Sequence, residues 1–170
     1  MKKHSGMRPL DIVVLLKIAL YKGENWKAKD LASNLKISAS EISESLNRSA
    51  IAGLLSSDKK ILMRKSLIEF LEFGLKYTFP QKPGALVRGV PTAHSAPPVN
   101  RLLHAVELFV WPYSKGVFRG QSIEPLYRTV PEISIQDEEL YALLALTDAL
   151  RIGKVREQKI AIEELKKKIL

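Results

Sequence analysis

Three histidines and no cysteine leave this 170-residue chain few ways to build a catalytic or metal centre. Without cysteine there are no disulfides and no thiolate zinc sites. His104 and Glu107 stand three apart and so share one face if that stretch is helical. Two ligands do not make a metal site, and a locally hydrogen-bonded histidine explains the pair as well. His94 lies between Thr92 and Ser95, but a serine nucleophile needs a nucleophile elbow and a third orienting group, and neither is present. Gly116 and Gly120 stand alone, not in a phosphate-binding loop. Asp137-Glu138-Glu139 opens an apolar helical stretch, where carboxylates favour the positive end of the helix dipole. The expectation is a protein that is not an enzyme and takes no cofactor and no metal.

The polar side chains that form a pattern lie elsewhere, in residues 31–55, LASNLKISASEISESLNRSAIAGLL. On a helix advancing about 100° per residue, Ile42, Leu46, Ser49 and Gly53 fall on an inner face. Ser40, Glu44, Asn47, Arg48 and Ile51 fall opposite, with Ile51 out of place among them. Serine and asparagine hydrogen-bond base edges, arginine reaches guanine or phosphate, and a glutamate accepts from cytosine. Ser38, Ser40, Ser43, Glu44, Asn47 and Arg48 are therefore the candidate contacts to double-stranded DNA. Lys27, Lys29, Lys36, Lys59 and Lys60 are the supporting cations, with Arg64 and Lys65 flanking them. Each phosphate contact releases counterions and steepens the salt dependence. For any one lysine the ordinary alternative is a solvated surface charge.

Those residues need a frame to hold them. Pro9 suits the first turn of a helix, and the apolar spacing of residues 10–21 continues it to Gly23. A second helix is expected over residues 26–35, with Ala28, Leu31, Ala32 and Leu35 as its apolar stripe. After a break at Lys36-Ile37-Ser38, a third helix is expected over residues 39–53. Ser38 and Glu41 have the spacing of a capping box, in which each side chain takes the other residue's amide, a device that contributes about 1 kcal/mol. Ser56-Ser57-Asp58-Lys59-Lys60, between two apolar pairs, reads either as the tip of a β-hairpin or as a plain loop.

Through Leu31-Ala32, Leu35, Ile37-Ser38, Ser40, Ile42-Ser43, Leu46 and Gly53-Leu54-Leu55, the stretch resembles the winged helix-turn-helix of MarR-type and related bacterial transcriptional regulators. The likeness covers roughly residues 10–65. It implies that the second helix supports and the third reads DNA. Three amphipathic helices also suit a protein-interaction module, such as an antitoxin or adaptor.

Further along, residues 63–77 return to helical spacing. Five prolines in residues 80–98 argue against helix or sheet interior and mark an extended crossing segment. A helix is expected over residues 99–110, irregular chain over 113–131, and helices over 136–152 and 155–170. Leu140, Leu143, Leu144 and Leu150 supply either core or a dimer contact. Trp111, Tyr113 and Phe118 suit a ligand pocket or the core. The segment from Gly74 to His94 has the look of a motif, with no chemistry attached to it.

The formal charge is +9, and it is uneven: +6 over residues 1–77, +4 over 78–131 and −1 over 132–170. A basic surface attracts polyanions, DNA foremost. The start, Met1-Lys2-Lys3-His4, is basic, but the apolar run after it is broken by Lys17 and is too short to span a bilayer. The expectation is a cytoplasmic, mainly α protein. Its parts are a winged or trihelical helix-turn-helix domain (1–79), a Pro-rich crossing (80–98) and a helical dimerisation, partner or ligand domain (99–170). It is expected to act on DNA as a homodimer, with a protein partner also open and no membrane association.

Overall fold

The computed structural model describes residues 6–23 and 25–170; the basic start at residues 1–4 lies outside them. The fold is mostly helical with one small sheet. Helices α1 (Pro9–Leu20), α2 (Ala28–Leu35) and α3 (Ala39–Ile51) come first. Then follow α4 (Arg64–Phe73), α5 (Leu75–Thr78), β1 (Leu86–Pro91), a 3₁₀ turn (Ala93–Ser95) and α6 (Val99–Leu102). The chain ends with β2 (Phe109–Pro112), β3 (Phe118–Ser122), α7 (Val130–Gln136), α8 (Glu138–Ile152) and α9 (Val155–Ile169).

Helix α1 is almost wholly buried, with Pro9 in its first turn and Asp11 accepting from the Arg8 amide at 2.8 Å. It packs on α3 and on α8, and α4 packs on α9. The buried residues from Leu10 to Ile169 therefore form one continuous cluster, drawn from before, within and after the Pro-rich stretch. Leu140, Leu143, Leu144 and Leu150 are buried in it, which answers the core-or-dimer question in favour of core. Trp111 is also core, whereas Phe118 is 48% exposed.

The sheet overturns three expectations. Residues 99–110 do not form one helix: α6 stops at Leu102, and Phe109, Val110 and Trp111 form a buried strand. The apparent helical stripe fails because Leu102 and Val106 point into solvent, whereas the consecutive apolar run suits a strand covered on both faces. Residues 118–122, expected to be irregular, form β3. The Pro-rich crossing contains β1 because its prolines flank the paired run rather than enter it: Pro80 and Pro83 precede, and Pro91, Pro97 and Pro98 close it or follow. Strand β1 is antiparallel to β2 (Val90 opposite Trp111) and to β3 (Arg88 opposite Arg119). Strands β2 and β3 pair parallel (Phe109 opposite Gln121), so each of the three strands pairs with both of the others.

Other boundaries shift for local reasons. Helix α2 begins at Ala28, not Trp26. The expected 63–77 helix is interrupted at Gly74, where an added Cβ would stand 2.9 Å from the Phe70 ring. Asp137 caps α8 by accepting from the Leu140 amide at 3.0 Å, so that helix starts at Glu138.

The residues of the unexplained motif tie the sheet to α8. Asp148 is fully buried and accepts from Trp111 Nε1 at 2.6 Å, Thr92 Oγ1 at 2.8 Å and Arg151 Nη1 at 2.8 Å. Burial raises its carboxyl above the ordinary carboxylate range, and Arg151, Thr92 and Trp111 offset only part of that rise. Tyr141 Oη donates to the Pro91 carbonyl at 2.7 Å, and burial pushes its phenol up to about 12. The folded state thus holds that proton more tightly than the unfolded state, whose tyrosines ionise near pH ~10. Its contribution is intact below that value and is lost as the pH rises from about 10 through about 12. Urea midpoints followed across this window should fall less steeply for Tyr141→Phe than for the parent chain. Parallel curves would show that Tyr141 is not the group responsible.

Candidate nucleic-acid interface

Helices α2 and α3 are joined by a tight turn. Lys36 sits there in the left-handed conformation (φ 53°), and its amide and that of Ile37 close the end of α2. The turn is short enough to bring Leu31, Leu35, Ile37, Ile42 and Leu46 into one buried cluster. Ser38 caps α3, its Oγ accepting from the Glu41 amide at 3.2 Å. Only this half of the expected capping box forms. The Glu41 carboxylate turns to Ser38 Oγ at 3.1 Å and accepts from Tyr127 Oη at 3.1 Å.

On α3 the inner face is Ile42, Ser45, Leu46, Arg48 and Ser49. Gly53 lies beyond the helix end at φ +77°, where a residue without Cβ is unstrained. Ser40, Ser43, Glu44 and Ile51 are exposed, and Asn47 is half-buried. Together they make a continuous outer stripe, polar except for Ile51 at its C-terminal end.

Arg48 does not belong to that stripe, and the expectation that it reaches DNA is corrected here. It is 6% exposed and grips the fully buried Asp11, with Nε 2.9 Å from Oδ2 and Nη2 2.7 Å from Oδ1. This hydrogen-bonded partner holds the guanidinium pKa above its ordinary value. A wheel diagram counts angles but not reach: the long side chain folds back over the α1–α3 seam.

The cations divide into two groups. Lys36 is paired with Glu132. Beside it, Thr129 Oγ1 donates to the Leu35 carbonyl at 2.8 Å, so the segment leading into α7 lies against the α2–α3 turn. Arg64 donates to the carbonyls of Ala19 (3.1 Å) and Ile169 (2.7 Å), closing the ends of α1 and α9. Lys27, at the start of α2, Lys29, Lys60 and Lys65 are exposed, and none forms a salt bridge among the described residues.

Residues 54–63 form a short hairpin: Leu55 bridges Leu62, Ser56 N donates to the Ile61 carbonyl at 2.9 Å, and Met63 N donates to Leu54 at 3.0 Å. Lys59 sits at its tip in the left-handed region (φ 61°), and its Nζ donates to Asn47 Oδ1 at 2.7 Å. The hairpin and the start of α2 enclose a cleft of about 640 Å³ lined by Trp26, Lys27, Lys59 and Lys60, among others. Three separately chosen lysines thus meet at one place. Sequence reasoning missed Trp26, Tyr127 and Glu132 because no spacing rule connects them to α3.

The histidines form no comparable site. His94 is buried, its Nε2 2.7 Å from the Glu107 carbonyl, while the Ser95 hydroxyl accepts from the Phe109 amide at 2.8 Å. His104 and Glu107 sit in the exposed loop after α6 and share no helix face. Among the described residues, no group of three His, Asp or Glu is placed to hold a metal ion, and no helix is long and apolar enough to cross a membrane. Searches for similarity to family models, curated proteins and solved structures found no match for this chain.

Proposed function

We propose that this chain is a sequence-specific DNA-binding transcriptional regulator whose first 79 residues carry a winged helix-turn-helix. The observation that supports this most is the outer stripe of α3, with Ser40, Ser43, Glu44 and Asn47 turned away from the core and short enough to meet base edges. Lys27, Lys29 and Lys60 are exposed and offer charge for the phosphates, and the 54–63 hairpin takes the place of the wing. A single short recognition helix makes few contacts, so the proposal includes a homodimer reading two half-sites.

The test is fluorescence anisotropy with duplex DNA from upstream of the chain's own gene, beside a scrambled duplex, at low and physiological salt. Tight binding to the first duplex alone at the higher salt is expected. Equal binding that collapses with salt would mean only a basic surface. In the same assay Asn47→Ala should cost about 1–3 kcal/mol on the preferred duplex and little on the scrambled one. Lys60→Ala should weaken both alike and lower the salt slope by about one.

One observation favours a second reading, a protein-interaction module of the antitoxin or adaptor type. Ile51, Ile61 and Met63 are apolar and exposed (66, 63 and 42%) on α3 and the hairpin after it. Absence of DNA binding even at low salt would move the assignment to that reading.

A further inference from the structure

One pair of side chains on the sheet has no use within the fold. Arg88 on β1 stands directly opposite Arg119 on β3 in an antiparallel pair, so both project from the same face. Both are exposed, and neither forms a salt bridge or a side-chain hydrogen bond among the described residues. Directly opposed residues have Cβ atoms about 5 Å apart, and like charges so placed destabilise a sheet. The carboxylates nearest along these strands, Glu107 before β2 and Glu124 after β3, pair with neither. A third cation stands nearby. The Tyr113 amide donates to the Arg88 carbonyl at 3.1 Å, and the turn that follows presses Gly116 on Gly89 and carries exposed Lys115. Apolar groups accompany the charges. Leu86 lies two residues before Arg88 on the same face and is exposed. Phe118, at the start of β3, points to the other face; it too is exposed, and Gly89 opposite it has no side chain to cover the ring.

We propose that this part of the sheet binds single-stranded nucleic acid. Arg88 and Arg119 clamp one phosphate between them, Lys115 meets a neighbouring one, and bases lie on Leu86 and Phe118. A phosphate between the guanidiniums turns one repulsion into two attractions, and the planar fork of arginine suits it better than an ammonium would. The bases of a duplex are stacked inside and its backbone is stiff, whereas a single strand bends round the end of the sheet to reach the Phe118 ring. An acidic peptide would answer the charges and leave the apolar groups bare. None of these residues belongs to the α3 stripe or to its supporting cations, so the proposal does not rest on duplex recognition there.

Fluorescence anisotropy of the full chain with a labelled thymidylate oligomer of about twelve nucleotides tests the proposal. Arg88→Gln and Arg119→Gln should each weaken binding about tenfold and lower the salt slope by about 0.7. Phe118→Ala should cost about fivefold or more, the loss of one stacked base. Lys168→Ala, which takes one exposed charge from α9, should cost less than about twofold. A second readout needs no ligand. With the repulsion removed, Arg119→Gln should melt about 1–3 °C higher than the parent at low salt, and added sodium chloride should narrow the gap. The same melts check that the variants fold. Four results overturn the proposal. They are no binding at low salt, arginine variants no weaker than Lys168→Ala, displacement of the oligomer by polyglutamate as readily as by unlabelled strand, or a lower midpoint for Arg119→Gln, which would mean that the arginine serves the sheet itself. If the chain proves not to bind duplex DNA, these results still decide the sheet face.

Discussion

Arg48→Ala is expected to lower the unfolding free energy by about 3–5 kcal/mol. The guanidinium and the Asp11 carboxylate are both removed from water and meet through two parallel hydrogen bonds. Deleting one partner leaves the other charged and buried, which costs far more than the pair contributes over an apolar replacement. Among the described residues Asp11 would keep only the Arg8 amide. Lysine at position 48 should recover little, because an ammonium cannot fork across both oxygens. The double replacement Asp11→Leu, Arg48→Met should be much less harmful than either single change. Urea unfolding of the parent, Asp11→Leu, Arg48→Met and the double variant gives the cycle. A midpoint for Arg48→Ala within about 0.5 kcal/mol of the parent would sink the argument. The result also governs how binding data are read, because loss of DNA affinity in Arg48→Ala would report an unseated α3 and not a lost base contact.

Gly89→Ala should be at least as damaging, at about 3 kcal/mol or more. A Cβ at Gly89 would stand 1.9 Å from the Trp111 carbonyl oxygen and 2.7 Å from its carbonyl carbon, so backbone, not a flexible side chain, is what it would strike. Gly116 presses on Gly89 in turn, its own Cβ position lying 2.4 Å from the Gly89 oxygen. The strand cannot retreat without breaking its pairing to both neighbours, since Gly89 lies opposite Pro112 on β2 and Phe118 on β3. Separating β1 from β2 would also pull Trp111 off Asp148. Thermal melts should show a large fall or no cooperative transition. Gly84→Ala is the contrast: its Cβ meets only the movable Ser122 hydroxyl within 3 Å, at an exposed position, and should be tolerated. If the two variants melted together, close strand approach at Gly89 would not be the constraint.

The helices were legible in the sequence because their signals are local. Proline at the first position, a serine cap, and apolar residues at three- and four-residue intervals all act within a turn or two. The starts of α3 and α9 and the burial of Leu140, Leu143 and Leu144 needed no distant information. The sheet was not legible. Its strands are four to six residues long, and β1 finds its partners some twenty to thirty-five positions away. The run Phe109-Val110-Trp111 satisfies a helical and a buried-strand reading equally until a partner strand is present. The glycines at 89 and 120 carried no turn signal because their role is close approach, which has no sequence period.

The candidate interface divides along the same line. Helical geometry and the positions of the apolar residues were enough to put Ser40, Glu44 and Asn47 on a short polar face of α3. Only the tertiary structure decided that Arg48 leaves that face for Asp11, 37 positions earlier, that Lys36 is met by Glu132, and that Lys59 reaches Asn47 across the hairpin. Long side chains choose among partners by which charges the fold brings within a few ångströms, and periodicity holds no record of that choice.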